Sequence, residues 1–301
     1  MQNTTIEPGN TAGARPGSPT RTPVTEFIGV EYSGFDVTDD TQVDRHFEQI
    51  KQDLRDRKVI VFRGQSLDEE SLERFSRRFG ELARSVTETA AGKIDSPVVQ
   101  HITNLDAEGK PSKTPFVNSN YFWHSDRLFF RNGLGMVLLY GKELPPSGGD
   151  TQFADMEAAY DGLSENDRAL ADSLRIVHSF EYMRLTYMKR PLTEKERAVA
   201  PPPMEHPLVR KNPDTGRKGL LLGMYASEVV GMPLEEGRAL IARMQEHATS
   251  DRFVYTHVWR PGDFVIWNNL STMHRAIANY DMEGHRRIMI RCAVEARDAI
   301  H

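Results

Sequence analysis

In Phe122-Trp123-His124-Ser125-Asp126 an imidazole and a carboxylate stand two residues apart. Side chains alternate along an extended segment, so His124 and Asp126 project from one face. A distant histidine would complete a 2-His-1-carboxylate set, whose open positions suit non-haem Fe(II) and oxygen chemistry. The dyad is not specific by itself: a chain with 10 histidines meets His-x-Asp by chance on the order of once. The rest of the chain must supply a third ligand, a co-substrate anchor and a fold that gathers them.

The candidate third ligand is His274, in Asn268-Asn269-Leu270-Ser271-Thr272-Met273-His274-Arg275. It follows an apolar stretch ending at Trp267, and an open metal site calls for such a late strand end at the mouth of a barrel. His206, before Pro207, and His257, within a strand-like run, read as structural histidines; His178 is a candidate pocket lining. In Arg287-Ile288-Met289-Ile290-Arg291-Cys292-Ala293-Val294, alternation puts both arginines on one face and Ile288, Ile290 and Cys292 on the other. The two arginines are then roughly 13 Å apart at Cα. Facing inward they are partly buried cations that need anions, and a guanidinium fork suits a carboxylate. Facing outward they are the solvated fringe of an edge strand, and spacing alone does not choose between the two. Gly133-Leu134-Gly135 begins like a dinucleotide fingerprint, but Leu138 stands at the third glycine position and no βαβ setting surrounds it.

The elements that must position these residues belong to a chain of 301 residues, 39% hydrophobic and 27% charged, which permits one large domain or two ordinary ones. No apolar run approaches the roughly 18 residues needed to span a bilayer. Met1 to Pro23 lacks the apolar core of a secretory signal. The single cysteine, Cys292, excludes an internal disulfide and fits a reducing compartment. A net charge of −5 argues against nucleic-acid binding. The expectation is a cytoplasmic, soluble enzyme or binding protein.

Residues 1–25, rich in Gly, Pro, Thr and Asn, read as a disordered or draped arm. Residues 26–37 carry the first strands. Val43, Phe47, Ile50 and Leu54 recur at helical spacing behind Thr41 as cap. Val59 to Phe62 reads as a buried strand. Ser66-Leu67-Asp68-Glu69 reads as a capping box opening a helix that ends at Gly80. Residues 81–119 read as a long mobile loop with one strand near Val98 to Ile102, and residues 182–203 as an exposed insertion or lid. Helices are expected from Met156, from Ser164 and over Leu234 to His247, with a β-rich last third. Many strands interrupted by a few helices imply a mainly β, barrel-like double sheet with helices packed outside.

Taken in order, Trp123-His124-Ser125-Asp126, Pro145-Pro146-Ser147-Gly148-Gly149-Asp150-Thr151, Trp259-x-Pro261-Gly262-Asp263, His274 and Arg286-Arg287-Ile288-Met289-x-Arg291 resemble the taurine dioxygenase/2,4-dichlorophenoxyacetate dioxygenase family of Fe(II)- and 2-oxoglutarate-dependent oxygenases. The likeness runs from about Phe27 to the C-terminus and leans to the phenoxyacetate branch through Val61-Phe62-Arg63-Gly64-Gln65, Asp155-Met156-x-Ala158-Ala159-Tyr160-Asp161 and Glu246-His247-Ala248-Thr249. It implies a double-stranded β-helix (jelly roll) over residues 26–301 and a homo-oligomer, dimer or tetramer. It puts Fe(II) on His124, Asp126 and His274 and the distal carboxylate of 2-oxoglutarate on Thr151 and Arg287. Arg291 would face the substrate or support that carboxylate, with Asn120 and Phe129 lining the substrate side. Reaction with O2 would release succinate and CO2 and hydroxylate a C–H bond; with Asp126 present, no ligand is missing to admit a halide.

Two departures bear on the substrate. The family's usual Trp-Asp-Asn is Trp267-Asn268-Asn269 here, which removes a charge near the metal. No histidine lies between His46 and His101, where the taurine enzyme has one that contacts sulfonate. Arg127, if inward, adds a cation near the mouth, and Tyr121, Phe122, Phe129 and Phe130 stand close by. The pocket so read suits a small aromatic or apolar anion, such as an aryloxyalkanoate. A natural product or a sulfonate or sulfate is the alternative on the same chemistry. A Zn-dependent hydrolase leaves the Thr151 and Arg287 pairing unexplained, and a non-catalytic jelly-roll binding protein would be favoured by loss of a ligand, of which none is lost.

Overall fold

The computed structural model describes residues 19–84, 86–89, 92–95, 98–113, 119–298 and 300. The major sheet takes seven strands: β1 (Thr20–Pro23), β2 (Val30–Ser33), β3 (Val59–Phe62), β6 (Gln100–Thr103), β7 (Leu134–Glu143), β15 (Phe264–Asn268) and β17 (Ile288–Glu295). Their order is β1-β2-β3-β15-β7-β17-β6, antiparallel except for the β2–β3 pair. A three-stranded sheet faces it, with β8 (Thr151–Asp155) between β14 (Val254–His257) and β16 (Thr272–Ala276). The two sheets form a jelly roll. A hairpin of β4 (Val86–Thr89) and β5 (Gly92–Asp95) precedes β6. Beside the roll, β9 (Arg175–His178) lies between β10 (Met204–Pro207) and β13 (Ala226–Val229), and β11 (Val209–Lys211) pairs with β12 (Lys218–Leu220).

Alternation along the major sheet makes both of its faces into cores. Val59 and Val61, Val137 and Leu139, Val265 and Trp267, and Met289 and Ala293 point inward onto Phe153, Tyr255 and Trp259. The intervening Ile60, Phe62, Leu138, Phe264, Ile266, Ile290 and Cys292 point outward. That outer face is covered by α1 (Asp40–Arg57), through Val43, Ile50 and Leu54, and by α2 (Glu69–Arg77), through Leu72 and Phe75. Each such side chain, fully buried, contributes roughly 1.5–3 kcal/mol. One register row, Ile60–Ile266–Leu138–Cys292, crosses four strands. A one-residue slip would turn this row into the cavity, so the pattern fixes the pairing. Among the described residues five further helices follow: α3 (Met156–Asp161), α4 (Glu165–Ser173), α5 (Phe180–Thr186), α6 (Glu194–Val199) and α7 (Leu234–Ala248), of which α3, α4 and α7 share a core with Ala154 and Met273 of the smaller sheet. Among the described residues, no helix is long and apolar enough to cross a membrane.

Several expected boundaries shift. The cap of α1 is Asp39 rather than Thr41: its carboxylate accepts from Gln42 N, reaching the third helical residue as a cap must. The box at α2 is Asp68 with Ser71, not Ser66 with Glu69. Asp68 Oδ1 accepts from Ser71 N at 2.8 Å while Asp68 N donates to Ser71 Oγ at 3.0 Å. Thr20 to Pro23, placed in the arm by composition, pairs along β2, while residues 1–18 lie outside the described residues. The described residues of the stretch 81–119 contain three strands, of which β6 closes onto β17; residues 85, 90–91, 96–97 and 114–118 lie outside the described residues. The stretch 182–203 carries the end of α5 and all of α6, tied together by Glu196, which accepts from Arg184 and Arg190.

Candidate active site

The dyad His124/Asp126 meets His274 through the backbone. On β16, His274 opposes Phe153 of β8, and on its other edge it pairs with the dyad segment: His124 N donates to His274 O at 3.1 Å and His274 N to His124 O at 2.8 Å. Such an exchange makes the two histidines direct cross-strand neighbours, with ring centroids 4.2 Å apart. Gly223 backs this pairing: a Cβ there would lie 2.9 Å from His124 Cα and 3.0 Å from Trp123 O, at φ +120°. One ligand atom from each of His124, Asp126 and His274 falls within 4.8 Å of the others. The Nε2 atoms of His124 and His274 lie 3.8 and 3.9 Å from the two Asp126 oxygens.

The protonation states suit a cation. Burial lowers the pKa of both imidazoles, and His274 is lowered further by its neighbour His124, so both are neutral at pH 7. His124 Nδ1 lies 2.7 Å from Phe122 O, a contact that places the ring proton on Nδ1 and leaves the Nε2 lone pair facing Asp126. Burial pushes the Asp126 carboxyl up, but Arg291, His274 and His124 together reverse this and hold it well below the usual carboxylate range. Two neutral imidazoles and one ionised carboxylate, converging from one side, are what a divalent first-row metal needs.

A cavity of about 270 Å³ opens from this triad. Thr151, Arg287, Arg291 and Gln100 give it polar walls; Ile102, Leu139, Trp267, Ala276 and Met289 give it apolar ones, and Asn120 lies at its side. Because β17 is paired on both flanks, the edge-strand reading of its arginines is excluded, and their face is the interior. Arg287 is 7% exposed; one Nη donates to Gly149 O at 3.1 Å, and its Nε has no hydrogen-bond partner. Burial drags its pKa down, the mark of a cation short of a counter-charge. Gly149 is required here: at φ +70°, a Cβ would sit 3.0 Å from Arg287 Nε. Thr151 Oγ1 accepts from Trp259 Nε1 at 3.0 Å. An indole N–H only donates, so the Thr151 hydroxyl proton is left to donate into the cavity. Arg291 donates to Asp126 Oδ2 at 2.6 Å and to Gln100 Oε1 at 2.9 Å.

Of the residues singled out in the sequence, His124, Asp126, His274, Thr151, Arg287, Arg291 and Asn120 converge on this cavity. Three others do not line it. Arg127, at φ +60°, reaches Glu295 and the Arg84 carbonyl and stacks over Phe130. Phe129 packs among Phe130, Phe180 and Tyr225. Tyr121 donates toward Met282 Sδ at 2.8 Å. His206 and His257 are structural, against the Leu128 and Phe130 carbonyls and against Asp263. His178 is buried beside His206 rather than on the cavity. Asn268, the departure from the family pattern, caps its own turn by accepting from Leu270 N.

Sequence reasoning missed the asparagines. Asn104 accepts from Arg287 N at 2.7 Å and donates to the Met282 and His285 carbonyls; Asn279 accepts from Gly149 N at 2.7 Å; Asn269 holds the backbone of Asp126. Nothing in the type or spacing of Asn104 and Asn279 separates them from turn asparagines; Asn269 stood in the Trp267-Asn268-Asn269 motif without a role read for it.

The chain matches the family model described as "Taurine catabolism dioxygenase TauD, TfdA family" over residues 20–293. It is 35% identical to an alpha-ketoglutarate-dependent 2,4-dichlorophenoxyacetate dioxygenase from Burkholderia sp. (strain RASC), over 79% of this chain and 82% of that one. It is 33% identical to an alpha-ketoglutarate-dependent sulfate ester dioxygenase from Pseudomonas putida, over 86% and 84%. A crystal structure of AAD-2 in complex with Mn(II) and N-oxalylglycine superposes with a TM-score of 0.78 at 28% identity, covering 94% of this chain and 100% of that one. The chain therefore belongs to the TauD/TfdA family and is an alpha-ketoglutarate-dependent dioxygenase, an oxidoreductase that works with Fe(II), 2-oxoglutarate and O2.

Proposed function

We propose that this enzyme hydroxylates an unactivated C–H bond of a small anionic substrate, an aryloxyalkanoate-like or other aromatic or apolar carboxylate, with release of succinate and CO2. The observation that carries the reading is the pair of inward-facing arginines, Arg291 on β17 and Arg287 just before it, both in the cavity of the His-Asp-His triad. One carboxylate-binding guanidinium serves the co-substrate, and the second remains for another anion.

In this reading His124, Asp126 and His274 hold the metal through Nε2, a carboxylate oxygen and Nε2. Bound Fe(II) with 2-oxoglutarate and O2 supplies the oxidant, at the expense of decarboxylating the oxo acid. Arg287, through the N–H that has no protein partner, and Thr151, through its hydroxyl proton, bind the distal carboxylate of 2-oxoglutarate. Arg291 and Gln100, already bonded to each other, receive the substrate anion, and Asn120 stands on that side. Leu139, Met289 and Trp267 exclude water from the reacting carbon. For an aryloxyalkanoate, hydroxylation beside the ether oxygen gives a hemiacetal that collapses to a phenol and an oxo acid.

The test is succinate release from 2-oxoglutarate under air with aryloxyalkanoates, alkyl sulfate esters, aliphatic sulfonates and uncharged ethers. The expected order puts aromatic carboxylates first and uncharged ethers last. Preference for an uncharged ether would remove Arg291 from its assigned role, and preference for a sulfate ester would move the substrate class. Anaerobic Fe(II) plus 2-oxoglutarate should give a weak visible band near about 500–530 nm, the sign of a chelated metal.

A further inference from the structure

We infer that Asn269 sets the aim of the Asp126 carboxylate, a positioning role that rests on the reading of His124, Asp126 and His274 as metal ligands. Asn269 is fully buried. Its amide oxygen accepts from Asp126 N at 2.9 Å, and its amide nitrogen donates to Asp126 O at 3.1 Å and to Leu134 O at 3.0 Å. One side chain thus grips both backbone polar groups of the carboxylate ligand. It ties them to the start of β7, where its own N–H also donates to Gly135 O.

Asp126 needs such a grip and the histidines do not. His124 and His274 fix each other by exchanging backbone hydrogen bonds, and Ser125 is tied by its hydroxyl to Thr272 O at 2.7 Å. The ladder stops there. The next residue, Arg127, is left-handed at φ +60°, a conformation that costs a non-glycine residue on the order of 1 kcal/mol or more and persists only where the surroundings over-determine it. Arg291 bonds the Asp126 carboxylate, which orients the side chain without fixing where its Cα stands. The primary amide is matched to the task because it offers an acceptor and two donors in one plane, the pattern of a strand edge. Alanine would leave one N–H and two carbonyls in the interior without partners. Aspartate would turn an acceptor toward two carbonyls.

The experiment is calorimetric titration of the full chain with Mn(II), beside thermal unfolding of the metal-free protein. Asn269→Ala and the nearly isosteric Asn269→Asp are both expected to weaken Mn(II) binding about 10- to 100-fold while the metal-free protein still unfolds in one cooperative transition. His274→Ala is the reference for loss of a ligand. If the unaltered protein does not bind Mn(II), or His274→Ala binds it equally well, the ligand assignment itself is wrong. If the unaltered protein binds and His274→Ala does not, yet either Asn269 variant that folds binds within about twofold of it, the positioning role is overturned. Asn269→Asp keeps the test decisive should the alanine variant fail to fold.

Discussion

Arg287, just before β17, and Arg291, within it, stand four residues apart in different surroundings. Arg287 is locked at its backbone by Asn104 and at its side chain by Gly149, with its buried Nε–H unpartnered. Arg291 is held by two side chains, Asp126 and Gln100, that can release it. Arg287→Ala should therefore raise the KM for 2-oxoglutarate at least about tenfold while moving the KM for the prime substrate less than about twofold. Arg291→Gln should show the reverse pattern. Steady-state kinetics with each substrate varied at saturation of the other decides it, and equal effects on both constants would dissolve the distinction. Gly149→Ala should resemble Arg287→Ala in milder form, because its Cβ would press on the guanidinium.

At the scale of elements, a buried ion cluster braces the turn that carries Asn269. Lys58, left-handed at φ +60° just after α1, puts its ammonium 3.0 Å from Asp155 and 3.2 Å from Glu157, all three side chains 1% exposed. Glu157 accepts from Ser271 Oγ, Ser271 O accepts from Met156 N, and Lys58 O accepts from Asn268 N. The turn from Asn268 to Thr272 is thereby nailed from behind to the cluster and from the front to the metal ligands. Removing the Lys58 cation leaves Asp155 without its ion partner and Glu157 with only the half-exposed Arg217, so Lys58→Met should cost about 3–5 kcal/mol in denaturant unfolding. A loss below about 1 kcal/mol would mean the cluster is no brace. This cluster was invisible in the sequence because burial of Lys, Asp and Glu is decided by tertiary neighbours. The elements themselves were legible where a pattern repeats: Val59 to Phe62, the α1 spacing and the alternating β17 face all came out as read. The residues that converge on the cavity, His124, Asp126, Thr151, His274, Arg287 and Arg291, were legible through motif order. That Arg127 does not line the cavity was not legible, because proximity in sequence says nothing of a left-handed turn. The caps slipped by two residues because Ser, Thr and Asp all qualify where they cluster.

For the molecule as a whole, acid should be the weak side. His178 is fully buried, neither ring nitrogen has a hydrogen-bond partner, and burial, with His206 alongside, pulls its pKa down to about 3. Unfolded, it titrates near about 6.5. The unfolded chain thus binds the proton more readily, and the stability this residue provides is complete above that pH and lost as pH falls toward the folded value. Between pH 7 and 5 the loss from this one group is about 2 kcal/mol. His178→Leu discards no hydrogen bond, so it should unfold near the wild-type temperature at pH 8 and lose less on acidification. Identical pH dependence in the two proteins would clear His178 of the effect.

Because His124 and His274 are zipped backbone to backbone, two thirds of the cradle stands ready before any ion arrives. A receptacle of that kind pays little reorganisation on loading and makes little selection through it. Chelators should strip the ion and leave far-UV circular dichroism unchanged, and Mn, Co or Ni should seat where iron does, in the rank their intrinsic affinities dictate. Which metal the working enzyme carries then falls to supply in the cell, and inactivation by a more tightly held intruder is the hazard this rigidity brings.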